Sequence, residues 1–192
     1  MATNLLENAE MLAAQRGYLR DPIILALLEG VPAWFRGMGT PSRQAEFLQT
    51  RGFALPAALC EFYARLPLAC FLHAAIDGQI FSAGPFEDDL DPPPVVRWKS
   101  APHVVFAYHL HSASICAAAV DRDDPLVAWG FEDEQDADQP VGYFSQWVYG
   151  IVDQYEQSLD QLQEWYENRS GARGNSHDWV LQKPGMQRRL GR

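Results

Sequence analysis

Apolar residues recur at steps of three and four through the first third of the chain, the spacing that places them on one face of a helix. Asn4 and Glu7 are spaced like a capping box, and the prolines that follow Asp21, Thr40 and Leu55 mark further helix starts. Glycine or proline stands where each apolar pattern stops. The chain is therefore predicted to begin with four helices, over residues 4–17, 23–28, 40–51 and 56–66.

The pattern changes in the middle of the chain, where short apolar runs are separated by Gly, Pro, Asp and Ser. Such runs are typical of strands, and too few residues lie between them for crossover helices. The turn-rich segment 121–125 joins the last two runs and predicts an antiparallel hairpin. The predicted strands cover residues 68–73, 104–109, 115–120 and 126–131.

A long amphipathic helix is predicted after the strands, because apolar residues recur at helical spacing from Phe144 to Tyr166. A stripe of this length requires a sheet or a helix bundle to cover it. The order of elements predicts an α+β fold with a mostly antiparallel sheet and helices packed on it. Residues 168–192 are rich in Gly, Ser, Asn and Arg, so we expect a basic tail that docks weakly or awaits a partner.

Composition narrows the classes of function. The 192 residues suit one domain, and a hydrophobic content of 47% is enough for a sizeable core. A net charge of −10 means that the average surface repels phosphate backbones and anionic lipid headgroups, so neither nucleic acid nor a membrane is expected as a partner. The three cysteines lie far apart in apolar runs and the N-terminus lacks a signal-peptide pattern, which predicts reduced thiols in the cytoplasm.

Two acidic stretches form the candidate binding surface. Twelve of the 25 acidic residues lie between Pro85 and Pro140, and dense carboxylates steer a basic partner toward a surface. Tryptophans near these stretches would supply the rigid anchors that interfaces need, although core packing is a competing role for Trp129. The candidate partner-binding residues are Glu87, Asp88, Asp89, Asp91, Trp98, Trp129, Glu132, Asp133, Glu134 and Asp136.

Histidine spacing supplies the alternative of metal chemistry. His103, His109 and His111 have equal parity on a predicted strand, and residues of equal parity project from one face. A catalytic metal needs at least three protein ligands, so acidic loop residues would have to complete a hydrolase site built on His109 and His111. The cysteines lie among apolar neighbours, and no phosphate-binding glycine motif is present. We expect a protein without enzymatic activity, metal or cofactor, with the hydrolase as the alternative.

Three stretches of the sequence resemble one known family, the SUKH superfamily, which includes fungal cell-wall synthesis regulators and many bacterial immunity proteins. Phe53–Tyr63 is similar to the family's "LPxxLxxFY" helix, Asp123–Trp129 to its "DPPV" strand, and Tyr143–Val148 to the "SFSEFL" start of its closing helix. The three stretches follow the family's order and spacing, and the resemblance covers about residues 40–155.

The chain departs from the family pattern at two places, both of which concern loop geometry. The family's "ENQG" hairpin is replaced by His109–Ser114, and Leu126 replaces the second proline of "DPPV". The resemblance implies a curled antiparallel sheet in a single domain of residues 1–167, with a family-like core at 40–155 and a helical extension at 1–39.

The resemblance also implies a non-catalytic role. Bacterial members are commonly encoded with polymorphic toxins and neutralise them by direct binding, which suits an acidic protein that faces a basic toxin domain. A regulatory scaffold without any toxin would use the same surface. The sequence leaves the oligomeric state open.

Overall fold

The computed structural model describes residues 4–37, 49, 52, 54–76, 78–79, 95–98, 101–109, 114–131, 140–169 and 178–191. The helices in this part of the chain are α1 (Glu7–Gln15), α2 (Pro22–Gly37), α3 (Ala57–Ala64), α4 (Leu66–Ala75), α5 (Phe144–Arg169) and α6 (Met186–Arg189). Two 3₁₀ turns cover Tyr18–Arg20 and Asp178–Gln182. The strands are β1 (Gly78–Gln79), β2 (Val95–Trp98), β3 (Ala101–His109), β4 (Ser114–Ala119), β5 (Leu126–Phe131) and β6 (Pro140–Tyr143).

The predicted α+β fold is confirmed, with an antiparallel, curled sheet and helices packed on it. The strand order is β1-β3-β4-β5-β6, and β2 also pairs with β3, at the opposite end of that strand from β1. The predicted hairpin is confirmed as β4 and β5, which pair antiparallel across the turn at 121–125. None of the helices in the described part of the chain is long and apolar enough to cross a membrane.

Aromatic side chains fill the core between the sheet and the helices. Phe144, at the start of α5, is fully buried and meets Phe62 of α3 and Phe106 of β3 edge-on, at centroid distances of 5.4 and 5.1 Å. Tyr18 stacks on Phe71 of α4 at 4.9 Å, so the N-terminal helical segment shares this core. Residues from Leu6 to Ile24 thus contribute to the same core as α3, α4, the sheet and α5.

The turn that joins β4 to β5 also caps two helices. The Asp123 carbonyl accepts the Ala58 N–H of α3 at 2.9 Å, and the Pro125 carbonyl accepts the Phe144 N–H of α5 at 2.8 Å. The Asp124 carboxylate accepts both the N–H of Ser145 at 3.0 Å and its hydroxyl at 2.6 Å. Helix N-termini leave backbone donors without intrahelical partners, and this one turn accepts from three of them, on Ala58, Phe144 and Ser145. The three stretches that resemble a known family therefore meet at this turn, through Ala58, Asp123–Pro125 and Phe144–Ser145.

Two predictions in the first half of the chain are wrong. Residues 68–73 are part of helix α4, not a strand: all five residues from Leu68 to Leu72 are buried, and periodicity cannot separate a fully buried helix from a buried strand. Pro67 lies in the first turn of α4, where its missing N–H removes no bond. Helix α2 passes through Gly30 and Pro32 to Gly37, because glycine and proline lower the stability of a helix without excluding it. The helix predicted at 40–51 lies outside the described residues.

The predicted capping box at Asn4 is also wrong. The Asn4 side chain bonds to the Glu7 carboxylate at 3.1 Å, and α1 begins after Leu6, which provides no side-chain cap. The carboxylate of Glu61 on α3 instead accepts the N–H groups of Leu5 and Leu6, at 2.9 and 3.1 Å. A partner from another helix therefore satisfies donors next to the start of α1, which local sequence spacing could not reveal.

The expectation of a weakly docked tail is wrong for residues 178–191. Val180 and Met186 are fully buried in the common core. The Lys183 ammonium donates to the carbonyls of Ala74 and Ala75 at the end of α4, at 3.1 and 3.3 Å. The basic composition suggested a solvated tail, but one of its cations, Arg189, pairs with the carboxylates of Glu156 and Asp160 on α5. We call residues 178–191 the C-terminal segment.

Candidate binding groove

A groove of about 790 Å³ runs along α5 and has four tryptophans among its described lining residues. Helix α5 supplies one wall from Trp147 to Trp165, a separation of about 27 Å along the helix axis. The sheet, the end of α4 and the 3₁₀ turn at Asp178–Gln182 supply the rest. We call this surface the indole groove and define it by Trp129, Trp147, Trp165 and Trp179.

Neighbouring elements fix the orientation of the indole rings. Trp147 packs edge-on against Phe106 with ring centroids 5.3 Å apart, and Trp129 lies on β5 in register with Cys116. At the far end of the groove the rings of Trp165 and Trp179 are 5.8 Å apart between centroids and inclined at 51°. Trp179 is 40% exposed and the other three are half-buried, so the groove presents ring surface to solvent.

Gln154, Ser158 and Gln161 supply the polar side chains of the described lining. Amides and hydroxyls donate and accept hydrogen bonds without changing charge near neutral pH. Tyr155 is the one titratable residue in the described lining: its hydroxyl donates to the Pro184 carbonyl at 3.1 Å, and burial raises its pKa above the ordinary value. The described lining thus suits the binding of a chain segment better than proton transfer.

Two exposed carboxylates adjoin tryptophans of the groove in sequence. Glu164 and Asp178 are exposed, and each directly precedes a tryptophan of the indole groove. Earlier along α5, Asp153 pairs with Arg16 and Asp160 pairs with Arg189, so the middle of the helix carries ion pairs. Glu164 and Asp178 are therefore the exposed carboxylates nearest in sequence to Trp165 and Trp179.

The structure separates the two tryptophans that the sequence proposed as anchors. Trp129 lies in the indole groove, whereas Trp98 ends β2 in register with Ala101. Strands β3 and β4 lie between β2 and β5, a lateral separation of about 14 Å at the usual strand spacing. The two residues are also offset along the sheet, because Trp98 pairs with Ala101 of β3 whereas Trp129 is aligned through Cys116 with Ala107. The eight acidic candidates, Glu87, Asp88, Asp89, Asp91, Glu132, Asp133, Glu134 and Asp136, lie outside the described residues.

The parity argument for the histidines fails on β3. The pairing with β4 shifts by one residue between Val105 and Ala107, which marks a β-bulge. A bulge shifts the alternation of faces by one position, so equal parity along β3 does not by itself imply a shared face. His111 lies outside the described residues. Within the described part of the chain no three His, Cys, Asp or Glu residues are grouped so that they could hold a metal ion.

All three cysteines are free thiols. Burial raises the pKa of Cys70 to about 11, raises that of Cys116 well above the usual value, and also raises that of Cys60. The thiolate is the reactive form, so at pH 7.5 we expect Cys70 and Cys116 to resist iodoacetamide in the native protein and to react after denaturation. Mass spectrometry of the alkylated peptides checks this. Rapid native labelling of Cys116 would contradict the burial of β4.

Sequence reasoning missed three of the four groove tryptophans. It proposed Trp129 as an anchor and gave Trp147, Trp165 and Trp179 no role at an interface. The available signal was the stripe on α5, which continues to Trp165 beyond the part that the sheet covers. Comparison of the chain with models of protein families, with curated proteins and with solved structures finds no match.

Proposed function

We propose that this chain is a non-catalytic binding protein that holds a basic segment of a partner protein in the indole groove. The observation that carries the proposal is the convergence of Trp129, Trp147, Trp165 and Trp179 in one open groove of about 790 Å³. Large aromatic side chains in a partly desolvated groove are the usual anchors of protein interfaces. Amides and a hydroxyl between them supply hydrogen bonds that fix the orientation of a bound segment.

Charge supports a basic partner. The chain has a net charge of −10, and the exposed residues Glu164 and Asp178 directly precede Trp165 and Trp179 in sequence. The acidic stretches at 87–91 and 132–138 would add long-range attraction, which raises association rates more than it raises affinity. Affinity for such a partner falls as salt screens these charges.

The resemblance to the SUKH superfamily supports the finer proposal of an immunity-type protein that neutralises a cationic toxin domain inside the cell. The three resembling stretches are the ones that meet at the turn 123–125, so they form one structural unit. Three free thiols fit a reducing compartment. A regulatory scaffold would use the same groove with a different partner.

The test begins with a pull-down on the full chain to identify the partner. Changing Asp88, Asp89, Glu132 and Glu134 to Lys is then expected to slow association with the purified partner by about tenfold or more at low salt. Stopped-flow fluorescence measures the rate at several salt concentrations. Glu7→Lys with Glu29→Lys, which changes exposed carboxylates on α1 and α2, serves as the control. An unchanged association rate for the fourfold variant would contradict the proposal.

A further inference from the structure

The Trp165 end of the indole groove differs from the rest of it. There the two ring planes meet at 51°, with centroids 5.8 Å apart, and form a wedge. Trp165 lies in the last turns of α5, which ends at Arg169, and the C-terminus of a helix carries a partial negative charge. Both the ring faces and the helix end therefore attract positive charge.

Charged side chains reinforce this preference. Glu164 and Asp178 are exposed and adjoin the two indoles in sequence. The Lys183 ammonium lies 5.8 Å from the centroid of the Trp179 ring, so this indole already interacts with one cation of the same chain. The Lys183 ammonium donates to the two carbonyls at the end of α4, whose partial negative charges offset part of its repulsion of a second cation.

We propose that Trp165 and Trp179 form a subsite for one arginine side chain of the partner segment, an inference that rests on the proposed function and specifies its ligand. A guanidinium is planar and more weakly hydrated than an ammonium, so it stacks on an indole at a lower desolvation cost. Its remaining N–H groups can donate to Glu164, Asp178 or the amide oxygen of Gln161. Lysine offers the same charge without the stacking plane.

The probe is the acetylated, amidated peptide (Arg-Ala)₄, titrated into the full ¹⁵N-labelled chain while the indole N–H signals are followed by NMR. The matched peptides carry lysine or citrulline, which is the neutral counterpart of arginine, in place of arginine. We expect the arginine peptide to shift the Trp165 and Trp179 signals and to bind more tightly than the lysine peptide. The citrulline peptide should leave both signals in place.

Variants locate the subsite. Trp179→Phe keeps an aromatic ring but weakens the attraction for a cation, and we expect a two- to fivefold loss of affinity for the arginine peptide, about the strength of an exposed cation–π contact. Glu164→Gln with Asp178→Asn should weaken binding in the same direction. Tyr149→Ala removes an aromatic side chain that is 43% exposed on α5 outside the described lining, and should change nothing.

The outcomes separate the two proposals. If the arginine peptide shifts only Trp129 and Trp147, or if the citrulline peptide binds equally well, the arginine subsite is wrong while the groove remains a binding site. If none of the four indoles responds, the subsite is also wrong, and the association experiment with the identified partner decides the proposed function by itself.

Discussion

Asp21→Ala is expected to lower the free energy of unfolding by about 2–4 kcal/mol, because one buried carboxylate serves two elements. Asp21 is 5% exposed; one oxygen accepts the Ile23 N–H at the start of α2 at 3.0 Å, and the other accepts the Gly185 N–H at 2.8 Å. The alanine variant removes a helix cap and leaves a buried N–H without its partner. Urea unfolding followed by tryptophan fluorescence measures the change.

The same variant should loosen the C-terminal segment before the rest of the fold. Limited proteolysis is expected to cleave the Asp21→Ala protein near residues 178–191 faster than the unchanged protein. Asp121→Ala is the matched control, since Asp121 is 54% exposed and pairs with its sequence neighbour Arg122, and its effect should stay within about 0.5 kcal/mol. Equal stability of the two variants would show that the Gly185 contact contributes nothing.

Helical periodicity predicted the long helix α5, whose apolar residues follow one face. The strands β3, β4 and β5 were found as short apolar runs between Gly, Pro, Asp and Ser, because Val104–Ala107 and Cys116–Ala119 are buried throughout and show no alternation. Helix α4 was predicted as a strand because every residue from Leu68 to Leu72 is buried, so its apolar residues form a continuous run without helical spacing. The bulge after Val105 was missed because a shift in register depends on the partner strand and leaves no mark in composition.

The candidate site was only partly predictable, because it is built from distant parts of the chain. Trp129 was identified from its position ahead of an acidic run, but the groove needs Trp179, whose position depends on the docking of the C-terminal segment. That docking rests on contacts such as Asp21 with Gly185, which are 164 positions apart. A local pattern can assign a tryptophan to a helix or a turn, but it cannot bring four of them together.

Phe144→Ala is expected to have the largest effect on stability, about 3–5 kcal/mol, the usual cost of truncating a buried phenylalanine to alanine. The Phe144 ring is fully buried and touches Phe62, Phe106 and Trp147, at centroid distances of 5.4, 5.1 and 6.0 Å. Its backbone N–H donates to Pro125, so the residue joins α3, the sheet and the start of α5.

Thermal unfolding should show this as a fall in Tm of roughly 6–20 °C, at about 2–4 °C per kcal/mol for a chain of this size. Phe144→Leu keeps most of the volume and should lose less than half as much, whereas Tyr149→Ala on the exposed side of α5 should change the Tm by no more than about 2 °C. Trp147 packs on both Phe144 and Phe106, so the truncated variant should also shift the Trp147 indole signal while the Trp179 signal stays in place. A loss of unfolding free energy below about 1 kcal/mol would mean that the packing of α3, the sheet and the start of α5 does not depend on the Phe144 ring.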